Sequence, residues 1–246
     1  MNLDAVANVV AIAVNLTVGL RLLSWGRKPD ALPERLLGLS LSFDGIEWLL
    51  WLLAIYTPAA DGSLGSALGF ACRAGISASA ICLMAFNRVV FRPGSAGALI
   101  FAATAGAAMG VGLIGSAAAG DWYGYRVDLP WTWLELGAQA AAFGWTLLES
   151  LCCYVKLRRR LAHGLTDAVV VNRVLLWGGY GGALLASHAL VALAQYTAGV
   201  TGSYPASLDS MMAALTLAAC AAVWLAFFAP RAYRDWLRAA PRAPLA

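Results

Sequence analysis

Charge is what this sequence has least of. Asp, Glu, Lys and Arg make up 12% of its 246 residues, against 61% hydrophobic residues and a mean hydropathy of +0.72. A soluble domain of this length carries roughly twice that charged fraction, so an ordinary soluble chain is excluded. Lysine is scarcer still: only Lys28 and Lys156 stand beside the many arginines. With the abundance of Ala and Gly, that bias points to a bacterial source. Histidine occurs only as His163 and His188, too few for intramembrane bis-histidine haem, histidine-rich di-iron chemistry or an HExxH zinc protease. The five cysteines, Cys72, Cys82, Cys152, Cys153 and Cys220, are odd in number and lie inside apolar stretches. They give neither a disulfide framework nor a zinc site. Walker A, GxGxxG and GxSxG motifs are missing. No cofactor or metal is therefore expected, and paired carboxylates alone are a weak basis for an enzyme. The net charge of +4 does not imply nucleic acid, because the basic residues flank apolar runs, where they act as topology signals.

Long apolar runs are what the sequence has instead. Seven are long enough to cross a bilayer: 4–24, 36–57, 66–90, 96–118, 130–156, 169–196 and 206–229. The first lacks the basic n-region of a signal peptide and begins with Asp4. Basic residues cluster after the first, third, fifth and seventh runs, which places 15 of the 17 on one side. The other side holds Arg126 with Asp4, Asp61, Asp121 and Asp128. The positive-inside rule then predicts an all-α integral membrane protein, a bundle of seven transmembrane helices over residues 1–230, with the N-terminus outside and the C-terminus cytosolic. The expected location is the cell (inner) membrane, with the lipid bilayer as obligatory partner. Trp122, Tyr123, Tyr125, Trp131 and Trp133 mark the outer rim, and Trp25 and Trp236 the inner one. The fifth helix is expected to continue past the membrane and turn at Gly164, with Thr166 or Asp167 capping the sixth. Residues 231–246 form a short basic tail, amphipathic at its start, suited to lying along the inner membrane surface. Gly106 and Gly110 in the fourth run, and Gly178 and Gly182 in the sixth, have the spacing of close helix contacts.

Polar residues inside these runs carry what the sequence says about function. At a rise of about 1.5 Å per residue from the outer rim, Glu47 lies about 14 Å deep, Arg73 about 10 Å, His188 and Gln139 about 12 Å, and Asn15 about 16 Å. Five helices thus place a polar group in one layer of the outer half. An uncompensated charge at that depth costs several kcal/mol, so Glu47 is expected to pair with Arg73, with His188 and Gln139 completing the hydrogen bonds. Asp44 shares the helix face of Glu47 at i and i+3. Trp48, Trp51 and Trp145 are candidate walls of a pocket there. Nearer the cytosolic edge, Glu149 is expected to meet Arg88 or Arg173 and lock the inner helix ends. The layer serves either as polar glue or as a binding site for a small ligand, ion or proton.

The seven-helix, N-out arrangement resembles the microbial rhodopsins in topology. That family attaches retinal to a lysine in its seventh helix, and the run 206–229 has none, so the resemblance excludes covalent retinal here. The function expected is receptor- or sensor-like, with a small-molecule ligand bound by Asp44, Glu47, Arg73, Gln139, His188 and Asn15, and with a cytosolic or membrane protein partner on the basic side. A small-solute or proton-coupled transporter is the alternative, and an accessory subunit of a membrane complex is a third.

Overall fold

The computed structural model describes residues 3–28, 30–56, 62–122, 126–201 and 206–239. Asp61, Tyr123, Tyr125 and Arg242 lie outside them. The elements are α1 (Leu3–Trp25), α2 (Leu32–Tyr56), α3 (Ser63–Phe91), α4 (Ala96–Ala118), α5 (Pro130–Ala162), α6 (Ala168–Thr201), α7 (Ala206–Phe228) and α8 (Arg231–Ala239), with no strand among the described residues. Six helices, α1, α2, α3, α4, α6 and α7, are long and apolar enough to cross a membrane. The architecture is that of a multi-pass helical membrane protein. Of the seven expected runs, the fifth is the one whose helix is not apolar enough by itself, because α5 carries Glu135, Gln139 and Glu149 along its length.

Local chemistry sets the helix ends. Gly94 takes φ of 76°, and Ser95 then caps α4, its Oγ accepting from the Ala98 N–H at 3.2 Å. Pro130 stands at the start of α5, where its missing N–H costs nothing. Gly164 takes φ of 72° after α5, as expected for the residue that ends it. Asp167 caps α6, with Oδ1 accepting from the Val169 N–H at 3.0 Å.

α1, α2, α3, α5, α6 and α7 form a closed ring in which each helix packs on two neighbours and α7 returns to α1. α4 stands outside it, against α3 and α5, and across the interior of the ring Phe86 of α3 reaches Trp177 of α6, with centroids 5.8 Å apart. The half of the ring near the basic ends of the helices is filled by Leu41, Leu83, Met84, Phe143, Trp177, Tyr180 and Val223, all buried. Trp177 stacks on Tyr180 and meets Phe86 and Phe227 edge-on. Truncating any of these large side chains to Ala costs about 3–5 kcal/mol in a well-packed core.

Small residues set the helix spacing, though at different positions from those expected in α4. A Cβ on Gly110 would meet nothing within 4 Å, and one on Gly106 would touch only Ile81 at 3.6 Å. The close approach to α5 is made two residues past Gly110, at Gly112, where a Cβ would sit 2.8 Å from both the Trp131 carbonyl and Glu135 Cβ. Between α5 and α6 the expectation holds better: a Cβ on Gly178 would lie 3.2 Å from Ser150, and one on Gly181 3.1 Å from the Phe143 carbonyl.

Candidate functional site

The polar residues in the half of the bundle away from its basic end gather into two groups with different electrostatics. The first is built on α3 and α5. Arg73 is 3% exposed, and its guanidinium forms an ion pair with the fully buried Glu135. A second arm donates to the Asp121 backbone carbonyl at 2.7 Å, with the Asp121 carboxylate 3.7 Å away. Ser77 and Gln139 close the far side: the Gln139 amide donates to Ser77 Oγ at 3.1 Å and to Glu135 Oε1 at 3.3 Å. The Asp121 carboxylate also accepts from the Arg126 N–H at 3.0 Å, so the loop after α4 is tied to the outer part of α3.

This corrects the expected Glu47–Arg73 pairing: the ion pairs of Arg73 run to Glu135 and Asp121. The reason is helix geometry. Arg73 and Ser77 are one turn apart on α3, and Glu135 and Gln139 are one turn apart on α5. Where the two helices face each other these steps form matching ladders, while Glu47 meets α3 from α2 at Cys72 and Gly75. Glu135 lies only a few residues into α5, near the aromatic rim, which hides its role from a reading by depth. The paired i, i+4 spacing was the signal that could have found it.

The second group lies inside the ring. Asp44 is buried, and its carboxylate accepts from the Asn15 side-chain amide of α1. Glu47, one turn further along α2, accepts from the Cys72 thiol at 3.5 Å. Tyr180 of α6 and Cys220 of α7 lie within electrostatic reach of Asp44. Five helices therefore surround two carboxylates, and among the described residues no arginine, lysine or histidine pairs with either. The Asn15 carbonyl oxygen, on the same amide, is buried without a hydrogen-bond partner. The two carboxylates and the Asn15 carbonyl oxygen thus gather acceptors in one place, with the Tyr180 hydroxyl and the Cys220 thiol as neutral neighbours. Gly75 makes the approach possible: a Cβ there would meet Glu47 Cβ at 3.2 Å.

His188 belongs to neither hydrogen-bond group. Its Nδ1 bonds the Leu184 carbonyl of its own helix at 2.9 Å, and its ring packs on Phe143 at 4.7 Å. The expected single layer of Asn15, Glu47, Arg73, Gln139 and His188 is thus divided, with Asn15 beside Asp44 and Gln139 beside Arg73.

Near the basic end, Glu149 was expected to meet Arg88 or Arg173. It pairs with Arg92 instead, whose Nε donates at 2.7 Å, and it also accepts from Trp145 Nε1 at 3.1 Å. Trp145 therefore stands at this end and does not wall the outer group. Arg173 is exposed, and its neighbour Asn172 donates to the Tyr233 hydroxyl of α8 at 3.0 Å. Arg88 is half-buried, and Asn87 holds Thr146 at 2.8 Å. Four residues along from Arg88, at the cap just past the end of α3, Arg92 reaches Glu149 of α5.

No group of three or more His, Cys, Asp or Glu side chains arranged to hold a metal ion occurs among the described residues. No protein-family model, curated protein or solved structure matches the chain.

Proposed function

We propose that the chain is a seven-span membrane protein of the receptor or sensor type, with its N-terminus outside, that binds a small cationic ligand between Asp44, Glu47 and Asn15. The observation that carries the reading is the charge balance. Arg73 is answered by two carboxylates within its own group, whereas Asp44 and Glu47 have only neutral donors. Two carboxylates in an apolar interior call for positive charge. Two carboxylates with the free Asn15 carbonyl beside them take it from a proton or from a cation bearing N–H groups.

Two further features favour a sensor over a carrier. α1, α2, α3, α6 and α7 run as unbroken helices past the acid pair, without the half-helices that many carriers place at their sites. The apolar filling of Leu41, Leu83, Met84, Phe143 and Trp177 also closes the ring on its basic side. α5 is the seventh span in this reading. It joins the far end of α4 to the near end of α6, and its acidic side chains are turned toward Arg73 and Arg92, so its low hydropathy is internal to the bundle.

The test is thermal unfolding of the purified chain in detergent against a panel of primary amines, polyamines and monovalent metal ions. A stabilising amine that loses its effect in Asp44→Asn and in Glu47→Gln supports the reading. Stabilisation by acidification alone makes the ligand a proton. Equal stabilisation of wild type and both variants, or none at any condition, overturns it.

A further inference from the structure

Outside the ring, α4 and α5 leave a furrow of about 530 Å³ at the basic end of the bundle. Small residues, Ala98 on α4 and Ala141 and Gly144 on α5, form its floor, and Phe101, Trp145 and Leu148 its walls. Phe101 meets Trp145 edge-on at 5.1 Å, which fixes the wall shared by the two helices. Leu148 is 63% exposed and Phe101 41%, so the furrow opens away from the bundle, where a membrane protein meets acyl chains.

Its polar end is a built arrangement. Glu149 Oε1 receives both Arg92 Nε and Trp145 Nε1, at 2.7 and 3.1 Å. That carboxylate is therefore neutralised and 12% exposed, while the Arg92 side chain remains 56% exposed. Only Nε of the guanidinium is engaged by Glu149. The two Nη groups stay clear of that contact and form the planar fork that binds a phosphate through two N–H donors. Arg92 follows directly on the end of α3 and precedes the cap of α4, so the fork stands at the rim of the bundle with the apolar furrow beneath it.

We propose that this furrow is a binding site for one phospholipid, its phosphate on Arg92 and one acyl chain lying over Ala98, Ala141 and Gly144. The volume of the furrow is within the range of a small-molecule site. Charge and shape agree on the occupant: a cationic fork at the membrane rim and an apolar trough running into the membrane match an amphiphile with an anionic head. Glu149 acts as the positioning residue, holding Arg92 through Nε. The site rests on the membrane reading above and is independent of the acid pair.

The full chain, purified in mild detergent, is examined for co-purifying phospholipid by mass spectrometry. After delipidation it is titrated with phosphatidylglycerol while unfolding is followed. Wild type is expected to retain about one phospholipid per chain and to regain stability on titration, with affinity lowered about tenfold in Arg92→Gln. Ala141→Leu, which fills the trough and leaves Arg92 untouched, is expected to lose the retained lipid. Glycerol phosphate, which has the head without the chain, is the control for simple anion binding. Retention in Ala141→Leu equal to wild type, or equal stabilisation by glycerol phosphate, overturns the proposal. The amine panel above reads a different site, so failure there leaves this result intact.

Discussion

Glu135 and Glu47 are both carboxylates in the half of the bundle away from its basic end, and neutralising them should have different consequences. Glu135→Gln leaves the Arg73 guanidinium short of its nearest counter-charge in a buried position. The expected cost is about 3–5 kcal/mol, read as a lowered unfolding temperature in detergent. Arg73→Met should cost a similar amount, and the Arg73→Met/Glu135→Met double variant less than the sum of its parts, since neither charge is then left alone. Additive losses would remove the ion pair as the cause. Glu47→Gln and Asp44→Asn, by contrast, remove charges that no basic residue answers. Without ligand they should be neutral or stabilising within about 1 kcal/mol. At this scale Asp44, Glu47, Arg73 and Asn15 were legible because each is polar in an apolar run. Which acid belongs to which base was not, since depth along a helix leaves rotation about its axis open.

Helix pairs are where the glycines act. Gly112→Val drives a side chain into the Trp131 carbonyl and Glu135, whereas Gly110→Val meets open space. The first should lower stability by about 1–3 kcal/mol and the second by less than 1 kcal/mol, measured by thermal unfolding of each variant. Equal losses would show that α4 and α5 can part at no cost. The short α8 offers a test by pH. Asp167 accepts from Arg238 Nη2 at 2.9 Å, and this hydrogen bond, with one from the Val169 N–H, holds its carboxyl below the ordinary value of 3.8. A lowered value means that the contact contributes fully above 3.8 and is lost as pH falls through the lowered value. Hydrogen exchange in residues 231–239 should therefore speed up in strong acid, and in Asp167→Asn at neutral pH. The pair is exposed, so the effect is small and shrinks with salt.

Over the whole molecule, the seven crossings and N-out orientation proposed above predict sidedness. In a Cys152→Ser background, Asp128→Cys should react with an impermeant maleimide only from outside intact cells. Leu165→Cys, at a position 75% exposed, should react only in inverted vesicles. Labelling of both from one side would remove α5 as a span and reverse the path of everything after it. Pairing accounts for the polarity of α5: Glu135 is matched by Arg73 of α3 and Glu149 by Arg92 just past the end of α3.

Composition and charge placement determined by themselves that this is a helical, multi-pass membrane chain with its basic residues gathered at one end, because a bilayer imposes span length and charge asymmetry on any sequence. Capping chemistry likewise announced the turn at Gly164 and the start of α6 at Asp167. Only the tertiary structure decided that α4 stands outside a six-helix ring. It alone decided that Arg73 is bound to Glu135, and that among the described residues Asp44 and Glu47 have only Asn15 and Cys72 as hydrogen-bond donors. Those outcomes depend on the rotation of each helix about its axis and on which helices are neighbours, and both are set by the packing of small residues across faces that periodicity along one chain does not pair.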